Sequence, residues 1–134
     1  MLEYVQGEGG VINLEQDFVD AVYQLCHERD ILVIADEVQT GIGRTGKFLA
    51  GENFDKKADM TTIAKGIAGG LPMGACLMSE SVMNTLVPGT HASTFGGNPV
   101  ACAGRIVLNR NCKFHNNHPS NISIRISIPS SISL

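Results

Sequence analysis

The sequence predicts an α/β fold, a mainly parallel sheet with flanking helices, and three observations carry that expectation. A helical stretch leads straight into the unbroken apolar run Ile31-Leu32-Val33-Ile34-Ala35, which lacks the alternation of a half-exposed strand. That run and a later one, Met60-Thr61-Thr62-Ile63-Ala64, each stop abruptly at a charged residue, Asp36 and Lys65. Glycine-rich segments lie beyond both, Gly41 to Gly46 and Gly66 to Pro72, as loops at the carboxyl ends of strands do.

Taken in order, Leu2 to Val5 reads as the end of a strand, and Gly7-Glu8-Gly9-Gly10 as a turn. A helix follows from about Leu14 to Arg29, with Asn13 as its N-cap and Gln16 in the capping-box position. Phe18, Ala21, Val22, Leu25 and Cys26 recur at helical spacing and form its expected buried stripe. Strands are expected at Ile31–Ala35, Met60–Ala64 and Ala75–Met78. Ser79 or Ser81 caps a short helix through Leu86, and Asn98-Pro99 opens another through about Asn109.

The chain divides at residue 110. Residues 1–110 form the α/β unit; residues 111–134 contain no Gly, Ala, Asp or Glu and are dominated by Asn, Ser and Ile. A Ser/Ile alternation there resembles an edge strand, but prolines interrupt it. This tail reads as disordered or as the product of a frameshift, with a natural terminus as the other reading.

At 134 residues the chain suffices for one domain with a core. A net charge of −3 leaves no footprint for nucleic acid. No apolar run approaches the roughly eighteen residues of a membrane span, and the first ten residues carry no secretory signal, so a cytoplasmic location is expected. Cys26, Cys76, Cys102 and Cys112 form no C-x-x-C pair and have no metal-ligand spacing. They are expected to be reduced and structural, and no metal site is expected.

Chemistry concentrates at Asp36 and Lys65, since ligands of open α/β sheets bind beyond the carboxyl ends of the strands. An amine and a carboxylate delivered together suit one reaction type well. The lysine bonds an aldehyde cofactor, and the aspartate keeps that cofactor's pyridine nitrogen protonated. Taken alone, the pair also reads as a surface ion pair, and that bland reading is the commoner one.

The surrounding segments decide between them. LEYVQGEGG, IADEVQTGIGRTGKF, AKGIAGGLPMGA and GTHASTFGGNPVACA, in this order, resemble the class III aminotransferases, nearest the acetylornithine and ornithine branch. The resemblance runs from Leu2 to about Gly104. It implies part of the large domain of a fold-type I enzyme dependent on pyridoxal 5'-phosphate, truncated at both ends. It further implies transfer of an amino group from an N-acetylornithine-like amine to 2-oxoglutarate, in arginine biosynthesis, by a homodimer. Residue by residue, Lys65 matches the cofactor-bonding lysine, Asp36 the partner of the pyridine nitrogen, Val38 the residue under the ring and Gln39 the one near its phenolic oxygen. Thr94, with Ser93 beside it, matches the hydroxyl that reaches the neighbouring subunit's cofactor phosphate; Glu3 and Glu8 match acidic residues of the substrate side.

Other features have plainer readings. Arg44 and His91 are taken as structural, and His27, His115 and His118 are assigned nothing. Gly41 to Lys47 fits G-x-x-x-x-G-K, but Phe48 stands where a phosphate-binding loop needs Ser or Thr, and the segment follows its acidic strand instead of preceding it. Tyr4 replaces the proline usual in the family, with a looser turn expected. The family's phosphate-cupping loop, ring-stacking aromatic and carboxylate-binding arginine have no counterparts here. Exposed apolar faces, marginal stability and weak cofactor binding are the expected result.

Overall fold

The computed structural model describes residues 1–85, 87, 90, 94 and 96–111. The tail from Cys112, with His115 and His118, lies outside the described residues, as do Leu86, His91 and Ser93. Two small sheets form. Strand β1 (Val5–Gln6) pairs antiparallel with β2 (Ile12–Asn13). The second sheet runs in the order β3 (Ile34–Asp36), β4 (Met60–Ile63), β5 (Ala75–Met78). β3 and β4 are parallel, with Asp36 opposite Thr62; β4 and β5 are antiparallel. Leu2 bridges Ala35 in parallel on the other side of β3, so β3 is flanked on both edges. Where the sequence leads to a mainly parallel sheet, the described part is mixed.

The expected strand at Ile31–Ala35 begins three residues late and ends on Asp36. Asp30 adopts a left-handed φ of 54°, and Ile31 donates its N–H back to the Cys26 carbonyl, which closes the helix end and holds the chain out of the sheet. Ile31 and Leu32 are consequently exposed. Val33 is the first buried residue, its N–H donated to the Asp59 carboxylate at 2.8 Å.

Helix α1 spans Gln16–Glu28, and its N-cap is Glu15, not Asn13. Asn13 is committed to β2 opposite Val5, and Leu14 donates to the Tyr4 carbonyl, so the chain turns helical only afterwards. Gln16 forms no capping box: its amide donates to Asp20 and to the Phe54 carbonyl. The buried stripe also differs. Val19 is fully buried and Tyr23 packs beside it, whereas Phe18 is 55% and Leu25 48% exposed. The helix is turned by about one residue, roughly 100°, from the expected orientation. A pocket among Tyr4, Ala35 and Ala50 receives Val19, and that fit selects the face.

Tyr4 is central to this first cluster. It is 1% exposed, its ring stacks on Phe54 at 5.1 Å, and its hydroxyl is hydrogen-bonded to that of Tyr23. The residue in the proline position is thus a core residue. A second cluster, Ile63, Ile67, Ala68 and Leu77, lies under the end of β4. Helix α2 (Glu80–Met83) is a single turn after Ser79. Helix α3 (Pro99–Asn111) opens as expected: Asn98 Oδ1 accepts from the N–H groups of Val100 and Ala101, with Pro99 in the first turn. α3 packs against the 3₁₀ helix Lys65–Ala68, where Gly104 lets the two backbones meet; a Cβ there would lie 3.1 Å from the Ala68 carbonyl oxygen. Cys26, Cys76 and Cys102 are free thiols, partly buried, and burial pushes the Cys76 thiol up.

Candidate active site

Asp36 ends β3, and Lys65 stands two residues beyond the end of the adjacent parallel strand β4. The sheet therefore delivers both to the same edge. Lys65 lies in an open cleft of about 280 Å³ lined by Val38, Gln39, Gly41, Ile42, Gly43, Arg44, Lys65 and Gly66. Asp36 is joined to this wall from outside the lining: its Oδ1 accepts from Val38 N at 3.1 Å and from the Thr62 hydroxyl at 3.3 Å. Both bonds hold the Asp36 carboxylate through the same oxygen. Lys65 itself sits at a left-handed φ of 49°, an unusual backbone state for a side-chain-bearing residue.

The remaining predicted residues are not all gathered here. Glu3 accepts from Gly7 N at 3.1 Å, pinning the glycine-rich turn. Gly7 in turn abuts Gln39: a Cβ on Gly7 would lie 2.5 Å from the Gln39 side-chain nitrogen. Glu3 thus holds the turn that abuts Gln39 and does not itself line the cleft. Glu8 and Thr94 are exposed and do not line the cleft, and Ser93 lies outside the described residues.

Three residues with a part in the site went unassigned in the sequence. Arg44, taken as a turn residue, lines the cleft beside Lys65. Gly7 backs Gln39. Glu37 is 1% exposed, and its carboxylate accepts from Ala50 N at 2.6 Å, Gly51 N at 2.9 Å and the Thr40 hydroxyl at 3.0 Å. It ties the strand tip to the far end of the loop that forms the cleft wall. A signal for Glu37 existed: Val33, Ala35 and Glu37 alternate along one strand face, and all three are buried. Gly41 to Lys47 consists of turns and bends with no helix leaving it, so it does not build a phosphate-binding loop. Among the described residues no cluster of metal-ligating side chains occurs, and no helix is long and apolar enough to cross a membrane.

The fold and the strand-end lysine and aspartate define a class with an amine and a carboxylate at one sheet edge. Residues 1–109 match the class-III aminotransferase family, and the chain belongs to it. It is 58% identical to the acetylornithine aminotransferase of Haemophilus ducreyi over 103 residues, which are 77% of this chain and 26% of that protein. The ornithine δ-aminotransferase of Plasmodium falciparum superposes with a TM-score of 0.74 at 43% identity, over 81% of this chain and 28% of that one. The ornithine aminotransferase of Toxoplasma gondii, whose structure holds PLP at partial occupancy in its active site, gives 0.73 at 39% identity, over 80% of this chain and 25% of that one. The chain spans about a quarter of the length of the relatives it matches, 26% for the first.

Proposed function

We propose that this chain is the cofactor-bonding part of a pyridoxal 5'-phosphate-dependent aminotransferase. Its amino donor is an N-acetylornithine-like or ornithine-like ω-amine, its acceptor 2-oxoglutarate, and its place arginine biosynthesis in the cytoplasm. One observation carries the reading: Asp36 ends β3 and Lys65 follows the end of the adjacent parallel strand β4, with Val38 and Gln39 on the wall of the Lys65 cleft. This donor set suits the cofactor chemically: an amine for its aldehyde, a carboxylate for its pyridine nitrogen, an apolar residue for its ring and an amide for its phenolic oxygen. When bound, the cofactor supplies an electron sink that stabilises negative charge at the substrate's α-carbon.

The chain's own residues do the rest. Lys65 would hold the cofactor at its aldehyde, and its amine, when free, would carry a proton to and from the reacting carbon. Asp36, oriented by Val38 N and Thr62, keeps the ring nitrogen protonated. Val38 would lie under the ring and Gln39 near its phenolic oxygen. Thr94 and Ser93 serve the phosphate of a neighbouring subunit in a homodimer, and Glu3 and Glu8 belong to the substrate side. Residues 1–110 act as this unit and 111–134 as an appended tail, consistent with a family match that ends at residue 109.

Borohydride trapping with pyridoxal phosphate, followed by peptide mapping, tests the assignment. Label is expected on Lys65; an even spread over Lys47, Lys56, Lys57 and Lys113 sinks it. A second reading is a chain that keeps the motifs without turnover. Trapping at Lys65 without amino transfer from acetylornithine, ornithine or 4-aminobutyrate would select it.

A further inference from the structure

We propose that Arg44 is the anion-binding residue of the Lys65 cleft, receiving a carboxylate or phosphate group of the bound ligand; this rests on the reading of Lys65 given above. Arg44 and Lys65 line one cleft whose other lining residues include no acid. Among the described residues the ion pair is Lys56 with Asp20, so neither cleft cation is paired with a described carboxylate. Two positive charges lining one cleft, both exposed and neither in an ion pair among the described residues, attract an anion and raise its local concentration.

The backbone places Arg44 deliberately. Ile42 has φ 59° and Gly43 φ 86°, two successive left-handed residues immediately before it. A β-branched residue in that region is strained, and such strain persists only where packing holds it. Ile42 is held: it packs on the Ile63–Ile67 cluster, and a Cβ on Gly66 would lie 3.6 Å from its own Cβ. Gly43 N bonds the Phe48 carbonyl and Gly46 N the Gly43 carbonyl, closing the turn on both sides of Arg44. Arg44, itself exposed, therefore stands on a closed turn whose preceding residue Ile42 lies beside Gly66. The planar fork of its guanidinium suits a bidentate oxyanion, which a lysine grips less specifically.

The test uses the full chain with pyridoxal phosphate, with pyridoxal, which has the same aldehyde and no phosphate, and with glutarate added to the cofactor-loaded chain. Binding is read from the cofactor's visible absorbance. R44A is expected to weaken either pyridoxal phosphate or glutarate at least tenfold, to leave pyridoxal within twofold, and R44K to recover part of the loss. Loss confined to pyridoxal phosphate names the cofactor phosphate as the anion; loss confined to glutarate names a substrate carboxylate. Equal weakening of pyridoxal and its phosphate, or no change with any ligand, overturns the proposal. If no absorbance band forms in the parent, the reading of Lys65 fails. The cofactor-free chain is then titrated with inorganic phosphate and glutarate while the Gly43 and Arg44 amide resonances are followed. Shifts abolished by R44A uphold Arg44, and an unresponsive parent refutes it.

Discussion

Glu37 and Gly7 shape the cleft without lining it, and each makes a distinct prediction. Three donors converge on the Glu37 carboxylate, two of them backbone N–H groups that no water replaces in a site 1% exposed. Glu37→Ala leaves those groups unpaired and is expected to cost about 3 kcal/mol, read as a lowered denaturant midpoint. A loss below about 0.5 kcal/mol would mean the three bonds do not form in solution. Gly7→Ala behaves differently. The added Cβ meets the far end of the flexible Gln39 side chain, which can swing away. Stability should change by less than about 1 kcal/mol, while pyridoxal phosphate affinity falls several-fold through the displaced amide. A large drop in stability with unchanged affinity would reverse that assignment.

At the scale of elements, helix caps were legible where a side chain had no competing task. Asn98 has none, and it caps α3 as its position before Pro99 suggests. Asn98→Ala is expected to cost about 1 kcal/mol of stability, seen by thermal unfolding with calorimetry, while Asn98→Ser or Asp retains most of it. Equal stability of the Ala and Ser variants would remove the cap from the account. Asn13 carries the same local signal before α1 but is taken up by strand pairing with Val5. The expected helix start moved to Gln16 for that reason, and only the pairing partner eleven residues away from Gln16 reveals it. Helical periodicity likewise allowed more than one inward face, and the cavity beside Tyr4 chose Val19 over Phe18.

The molecule as a whole is knit on one side by Tyr4 and Tyr23, and this sets its behaviour at alkaline pH. Burial, first, raises the pKa of both hydroxyls, and for Tyr4 the bond to Tyr23 raises it further. A raised pKa means the folded chain holds the proton more tightly than the unfolded chain does. The resulting stability is complete below the unfolded tyrosine value of about 10 and is lost as pH rises beyond it. Denaturant unfolding between about pH 8 and 12 should show this decline, and the Y4F/Y23F double variant should flatten it. An unaltered slope in the double variant would assign the loss to other groups. Phe18 and Leu25 on α1, and Ile31 and Leu32 just after it, remain exposed.

The order of strands, helices and loops, and the two charged residues at strand ends, could be read from the chain because local pattern dictates them: apolar runs bury, glycines turn, and a charge ends a buried strand. The face that α1 turns inward, the antiparallel arrival of β5, the burial of Glu37 and the cleft that Arg44 and Lys65 share were decided only by tertiary structure. Each depends on which distant residue occupies the space opposite. Periodicity in one segment fixes the phase of its side chains, but the neighbour that meets them is chosen by the packing of the rest of the chain.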